Sequence, residues 1–194
     1  MERIGVAGAG AWGTTLAKLL VEKGHSVALW VWEPELAVTM ARERENGIYL
    51  PGVELPESLE ITGSLAQLGR GRSTLLLVTP SHALRVVFSE LRPFLETSTL
   101  LISATKGLEQ DTCMTMSQVI REVAPEVKSL TVLSGPSFAK EVSRGLPAAL
   151  VAASDDELAA KRVQSLLSTP AFRVYAGADP FSVQIGRASC RERV

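Results

Sequence analysis

Gly8, Gly10 and Gly13 stand in the spacing G-x-G-x-x-G near the head of the chain. They follow the apolar run Ile4 to Ala7 and precede a stretch with Leu16, Leu19, Leu20 and Val21 on one helical face. Between a strand and a helix each glycine has a physical task. Gly8 permits the tight turn, Gly10 lets the backbone approach a pyrophosphate, and Gly13 lets helix and strand pack closely. The N–H groups left over at the helix start then face the phosphate charge. Three further stretches hold polar residues directly after apolar runs: Thr79-Pro80-Ser81-His82, Thr105-Lys106-Gly107 and Ser134-Gly135-Pro136-Ser137. Lys106 is placed to offer a point charge to a phosphate or carboxylate; a plain surface lysine in a turn is the other reading. Ser134 to Ser137 reads either as a capped helix start or as a second anion-friendly helix start beside Lys106.

The end of the second apolar run sets the choice of dinucleotide. An acid there suits the ribose hydroxyls of NAD, and a basic residue suits the 2′-phosphate of NADP. The chain reads Trp30-Val31-Trp32-Glu33, without lysine or arginine in that turn, which favours NAD. Glu33 either faces the ribose or favours the start of the next helix. Arg42 and Arg44 lie further along, within reach of the same place. His82 has no carboxylate at a fixed offset to mark it as a base, and His25 reads as a solvated loop residue. Cys113 reads as a partly buried small apolar residue rather than a nucleophile. No metal-ligand spacing and no Ser-His-Asp order stands out.

These residues need a scaffold that brings strand ends to one edge. The patterning predicts strands over 4–7, 26–31, 59–62, 73–79, 100–104, 130–134, 148–152 and 172–175. Helices are expected from the glycine turn to Gly24, and over about 34–45, 83–95, 114–123, 138–143 and 155–167, with a proline-bearing loop at 51–56. Strands that are apolar throughout, alternating with helices, mean an α/β fold: a Rossmann-type, doubly wound, mostly parallel sheet covered on both faces. Ligands of such sheets sit beyond the carboxyl ends of the strands, where all four stretches fall.

The chain has 194 residues, 46% hydrophobic and 21% charged, with a formal net charge of −1. That balance gives no case for nucleic acid as a partner. No apolar run reaches the roughly 18 residues of a membrane span, so no membrane association is expected. Two cysteines, Cys113 and Cys190, make no disulfide framework. With no room for a signal peptide before the first strand, the expected location is the cytoplasm. Residues 185–194 have neither helical nor strand period and match, residue for residue, one reading frame of a common sequencing-adapter oligonucleotide. The expected organisation is therefore a dinucleotide-binding domain over 1–184 and a translated artefact over 185–194; a genuine basic tail is the other reading of those ten residues.

Taken together, G-A-G-A-W-G-T from Gly8, P-S-H from Pro80, A-T-K-G-L-E from Ala104 and S-G-P-S-F-A-K-E from Ser134 resemble the bacterial NAD(P)-dependent glycerol-3-phosphate dehydrogenases. The resemblance covers residue 3 to about Gln184. It implies reduction of dihydroxyacetone phosphate to sn-glycerol 3-phosphate, a precursor of glycerophospholipids, and a homodimer at full length. It places Ala11, Trp12, Trp32 and Ala139 at the cofactor, Lys106 at both cofactor and substrate, and Gly135 and Ser137 at the substrate. The family's catalytic lysine belongs to a G-G-A-x-K-N segment after the Val-Gln pair, opening an all-helical second domain. Here Val183-Gln184 runs into the divergent tail, and Arg191 stands near the lysine's place. Arginine keeps its proton at working pH, so no turnover is expected of these 194 residues. Two other readings fit the fingerprint alone: a dehydrogenase of the 6-phosphogluconate or hydroxyacid type, and a non-catalytic module that senses NADH.

Overall fold

The computed structural model describes residues 1–191, the side chains of 186–191 excepted. The chain begins β1 (Arg3–Ala7), α1 (Ala11–Glu22), β2 (Ser26–Trp30), α2 (Pro34–Glu43). A small hairpin follows, β3 (Glu45–Asn46) and β4 (Leu50–Glu54), then β5 (Glu60–Thr62) and α3 (Leu65–Gly69). The remainder runs β6 (Thr74–Leu77), α4 (Ser81–Leu91), a 3-10 turn (Arg92–Phe94), β7 (Leu100–Ser103), α5 (Met116–Val123) and β8 (Leu130–Ser134). It ends α6 (Ala139–Val142), β9 (Ala148–Ala153), α7 (Glu157–Leu167), β10 (Phe172–Gly177) and α8 (Pro180–Arg191). The strand order in the main sheet is β10-β9-β8-β7-β6-β1-β2-β5. Counting from β1, the order reverses between β1 and β6, so the ligand crevice of an α/β sheet opens above their ends.

The apolar strand runs are divided between two cores by the alternation of a pleated strand. Ile4 and Val6 of β1, Val27 and Leu29 of β2, and Leu100 and Ile102 of β7 meet α1, α2 and α7 on one face. Ala7, Ala28, Leu75, Leu77 and Leu101 meet Leu68, Leu84, Phe88, Met116 and Ile120 of α3, α4 and α5 on the other. A side chain of this kind contributes about 1.5–3 kcal/mol on full burial, so both faces drive the sheet to form. This is why the runs read as continuous rather than alternating.

Several expectations are corrected. Residues 51–56 are not a plain loop: β4 pairs antiparallel with β3, and Glu45 accepts from the Gly52 N–H at 2.8 Å. Pro51 is tolerated because this two-stranded ribbon leaves its edge open. Helix α3 was not expected, although Ser64 caps it by accepting from the Gln67 N–H at 3.3 Å. Helix α5 starts at Met116, because Thr115 and Gln118 form a reciprocal capping box. Strand β9 runs antiparallel to β8. The intervening α6 is four residues long and packs on α1, so it does not carry the chain back across the sheet as a parallel connection requires. Residues 185–191 continue α8 despite their lack of period. Asp179 accepts from the Phe181 and Ser182 N–H groups at 3.0 Å each, and a nucleated helix extends without a periodic pattern.

The segment after β7 is held by charge. Arg85 of α4 donates from Nε and Nη2 to the two carboxylate oxygens of Glu109, at 2.8 and 2.9 Å, and Thr112 adds a hydroxyl at 2.6 Å. The Arg85 fork, with Thr112 second, brings the Glu109 pKa from 4.5 to about 2. A depressed carboxylate pKa stabilises the fold above its unfolded value and loses that contribution as pH falls through the folded one. Glu109→Gln is therefore expected to melt below the unsubstituted chain at neutral pH. The gap should close as pH falls from 4.5 to about 2, as thermal unfolding across that range will show.

Candidate functional site

The turn from β1 to α1 is shaped by its glycines. Gly8 has φ +118°, a conformation L side chains rarely adopt, and its N–H donates to the Trp30 carbonyl at 3.2 Å. A Cβ on Gly13 would lie 1.9 Å from the Gly8 carbonyl oxygen, so helix and turn touch backbone to backbone. A Cβ on Gly10 would meet nothing within 4 Å. The first bond of α1 runs from the Thr14 N–H to the Gly10 carbonyl at 3.0 Å, which leaves the N–H groups of Ala11, Trp12 and Gly13 ahead of the helical ladder. The first turn carries no acid, so the positive end of the helix dipole is not offset there. Open space, spare donors and positive potential together suit a pyrophosphate.

Lys106 reaches this turn from two strands away. Its backbone follows β7, and its Nζ lies 5.8 Å from the centroid of the Trp12 ring. A cation over an indole at this range is worth about 0.5–1 kcal/mol at an accessible site. The segment carrying it is tied to β6: the Ala104 N–H and the Thr105 hydroxyl both donate to the Leu77 carbonyl, at 2.9 and 3.2 Å. Trp12 also packs on Phe172, with ring centroids 6.2 Å apart. Ala139 joins the same group, since its carbonyl accepts from the Thr15 hydroxyl of α1 at 3.3 Å.

Gly135 and Ser137 leave β8, the strand beside β7, at the same edge as Lys106. Neighbouring strands are about 4.8 Å apart, so these residues and Lys106 border one crevice. The helix-start reading of this stretch is corrected. Helix α6 begins at Ala139 with Phe138 as its cap residue and no side-chain cap bond; Pro136 lies outside it, and one turn makes no anion site. Gly135 has a packing reason of its own, because a Cβ there would lie 2.7 Å from Leu150 Cα on β9. Ser137 turns back on its own loop, its hydroxyl 3.5 Å from the Gly135 carbonyl.

Trp32 lies on the opposite side of β1, just past β2. Its ring is exposed and packs edge-on against Trp30 at 5.9 Å. Glu33 is the cap residue of α2 but makes no side-chain cap bond; it accepts from the Tyr49 hydroxyl at 2.7 Å instead. That contact raises the Tyr49 pKa. Neither arginine reaches round. Arg44 donates to the Pro56 and Leu59 carbonyls, and Arg42 pairs with Glu43 at 2.7 Å.

His25 is not a solvated loop residue: its Nδ1 accepts from the Glu2 N–H at 3.2 Å at the amino end of the sheet, and burial lowers its pKa. Cys113 is exposed at φ +56° rather than partly buried. His82 is exposed in the first turn of α4. Among the described residues no cluster of three or more metal-ligating groups occurs, and no helix is long and apolar enough to cross a membrane. The side chains of Cys190 and Arg191 lie outside the described residues. Sequence reasoning passed over Asn46, which is fully buried and donates to the Ala9 carbonyl of the glycine turn at 2.7 Å. Its only signal was a polar residue before Gly47, which resembles an ordinary helix stop.

Two substitutions separate the tasks of the glycines. Gly13→Ala is expected to destabilise the fold by about 1–3 kcal/mol, because the new methyl group would run into the Gly8 backbone carbonyl, which has no flexible end to move aside. Gly10→Ala, facing open space, is expected to leave the melting temperature in place. Differential scanning calorimetry of the two variants checks both.

The family model described as "NAD-dependent glycerol-3-phosphate dehydrogenase N-terminus" matches residues 3–160. A curated relative from Geobacter sulfurreducens, glycerol-3-phosphate dehydrogenase [NAD(P)+], is 50% identical over 189 residues, covering 96% of this chain and 56% of the relative. The 2.1 Å crystal structure of glycerol-3-phosphate dehydrogenase from Coxiella burnetii superposes with a TM-score of 0.90 at 33% identity, covering 96% of this chain and 57% of that one. The enzyme from Saccharomyces cerevisiae superposes at 0.84 with 26% identity, covering 96% and 59%. The chain thus spans a little over half the length of the relatives it matches. With its glycine turn, Lys106 and the strand order that joins them, this chain belongs to the family of NAD-dependent glycerol-3-phosphate dehydrogenase N-terminal domains.

Proposed function

We propose that these residues form the dinucleotide-binding half of a glycerol-3-phosphate dehydrogenase that interconverts dihydroxyacetone phosphate and sn-glycerol 3-phosphate, and that they take NAD in preference to NADP. The observation that carries the proposal is the Lys106 ammonium over the Trp12 ring, in the first turn of a helix with no acid to offset its dipole. Gly10, Ala11, Trp12 and Gly13 would hold the pyrophosphate through backbone N–H groups, and the open space at Gly10 is where it would approach. Trp12 and Ala139 would border the nicotinamide side, and Trp32 the adenosine side. When bound, the reduced nicotinamide would supply a hydride for the substrate carbonyl carbon, with a proton taken up at the carbonyl oxygen to complete the alcohol. Lys106 acts as a fixed positive charge that orients the bound pair, sharing its field between cofactor and substrate. Gly135 and Ser137 would line the substrate pocket on the neighbouring strand end.

The cofactor preference rests on Glu33. Its carboxylate stands at the end of β2, held by Tyr49, while Arg42 and Arg44 are engaged elsewhere. A carboxylate accepts from ribose hydroxyls and repels a 2′-phosphate. The whole protein we place in the cytoplasm as a homodimer that feeds glycerophospholipid synthesis.

Titration with NADH, followed by energy transfer from tryptophan to the reduced nicotinamide, tests this reading. NADH is expected to bind at least about tenfold more tightly than NADPH, the effect of a like charge placed against the extra phosphate. Glu33→Gln should narrow that ratio, and Gly10→Ala should weaken both. No transfer with NADH, or tighter binding of NADPH, would contradict the proposal.

A further inference from the structure

The hairpin β3–β4 pairs with no strand of the main sheet, yet it is fastened to the glycine turn through one buried side chain. The Asn46 amide donates both of its N–H groups, to the Ala9 carbonyl at 2.7 Å and to Thr14 Oγ1 at 2.9 Å. Its carbonyl oxygen accepts from the Tyr49 N–H at 3.0 Å. Thr14 completes the ring by donating its hydroxyl to the Ala9 carbonyl at 3.2 Å. Every member of this clamp is polar and Asn46 is 0% exposed, so loss of one partner strands another without water to replace it.

The geometry has a consequence for anion binding. A trans peptide is planar, and its C=O and N–H point in opposite directions. With the Ala9 carbonyl drawn toward Asn46 and Thr14, the Gly10 N–H of the same peptide is turned the other way, out of the clamp. We propose that Asn46 is a positioning residue: it sets the Ala9–Gly10 peptide so that the Gly10 N–H is presented to a ligand pyrophosphate. Through the same hairpin, Tyr49 steadies the Glu33 carboxylate, so one excursion of chain orients the turn beside β1 and the carboxylate beyond β2. The proposal rests on the dinucleotide reading of the site.

The test uses the 194-residue chain with NADH, ADP-ribose and adenosine as probes, the latter two by displacement of NADH. Adenosine has the base and ribose of the others but no phosphate. Asn46→Ala removes the clamp. Thr14→Val removes the hydroxyl at nearly constant volume and guards against a variant that fails to fold, while Thr14→Ser restores the hydroxyl. In Thr14→Val, NADH and ADP-ribose are expected to weaken about tenfold, the effect of a lost buried hydrogen bond on the group it positions. Adenosine binding should stay as in the unsubstituted chain, and Thr14→Ser should recover ADP-ribose affinity. Unchanged ADP-ribose affinity in the folded variants, or a parallel loss of adenosine binding, would overturn the clamp while leaving the dinucleotide reading intact. If the unsubstituted chain bound neither NADH nor ADP-ribose, the dinucleotide reading would fall, and this proposal with it.

Discussion

The structure depends on one backbone contact, the meeting of Gly13 with the Gly8 carbonyl, where a Cβ would come within 1.9 Å. Because nothing but hydrogen stands between them, the first turn of α1 lies directly over the end of β1. That closeness puts the spare N–H groups of the helix at the edge of the sheet rather than a side chain's width away. Three parts of the site are tied to that turn: Lys106 by its cation–π contact with Trp12, Ala139 by its bond from Thr15, and Ala9 by Asn46.

The two-faced core turns this local contact into a rigid site. Strands β1 and β6 lie side by side at the centre, with their side chains divided between the two layers of helices. They cannot shift without opening both cores. From this platform the crevice has a polar, carboxylate-bearing side beyond β2 and a cationic side beyond β7. The order of the strands alone separates Glu33 from Lys106. An asymmetric ligand, with hydroxyls at one end and negative charge at the other, matches that separation. Helix α8 closes the far side by a different means: buried Gln184 accepts from the Ser117 N–H at 3.1 Å and donates to the Ser117 hydroxyl at 2.8 Å. Ser134 in turn donates to the Val183 carbonyl at 2.8 Å. Val183 thus ties α8 to the sheet and Gln184 ties it to α5.

Much of this could be read in the sequence, for reasons that are local. Doubly buried strands show as unbroken apolar runs, and a glycine turn between strand and helix shows as spacing. The positions of Gly8 and Lys106 at strand ends therefore followed from pattern, whereas Trp12 was singled out by the family resemblance alone. What could not be read depends on contacts across long separations. Asn46 lies 37 residues from Ala9, and nothing near either residue signals the bond between them. The reversal at β9 was hidden because the direction of a strand leaves no local pattern, and only the packing of α6 on α1 sends the strand back. Arg44 looked available for a 2′-phosphate because a sequence shows its charge and not the Pro56 and Leu59 carbonyls that hold it. The serine and proline after β8 resembled a helix start, and Gly135 proved to serve the close approach of β9 as well.

The turn from Gly8 to Gly13 is proposed to hold a pyrophosphate through its backbone. Amide chemical shifts of the labelled chain during titration with ADP-ribose test it most directly. The largest shifts are expected at Gly10, Ala11, Trp12 and Gly13, saturating together with a single affinity. Shifts concentrated elsewhere, with those four amides unmoved, would contradict it.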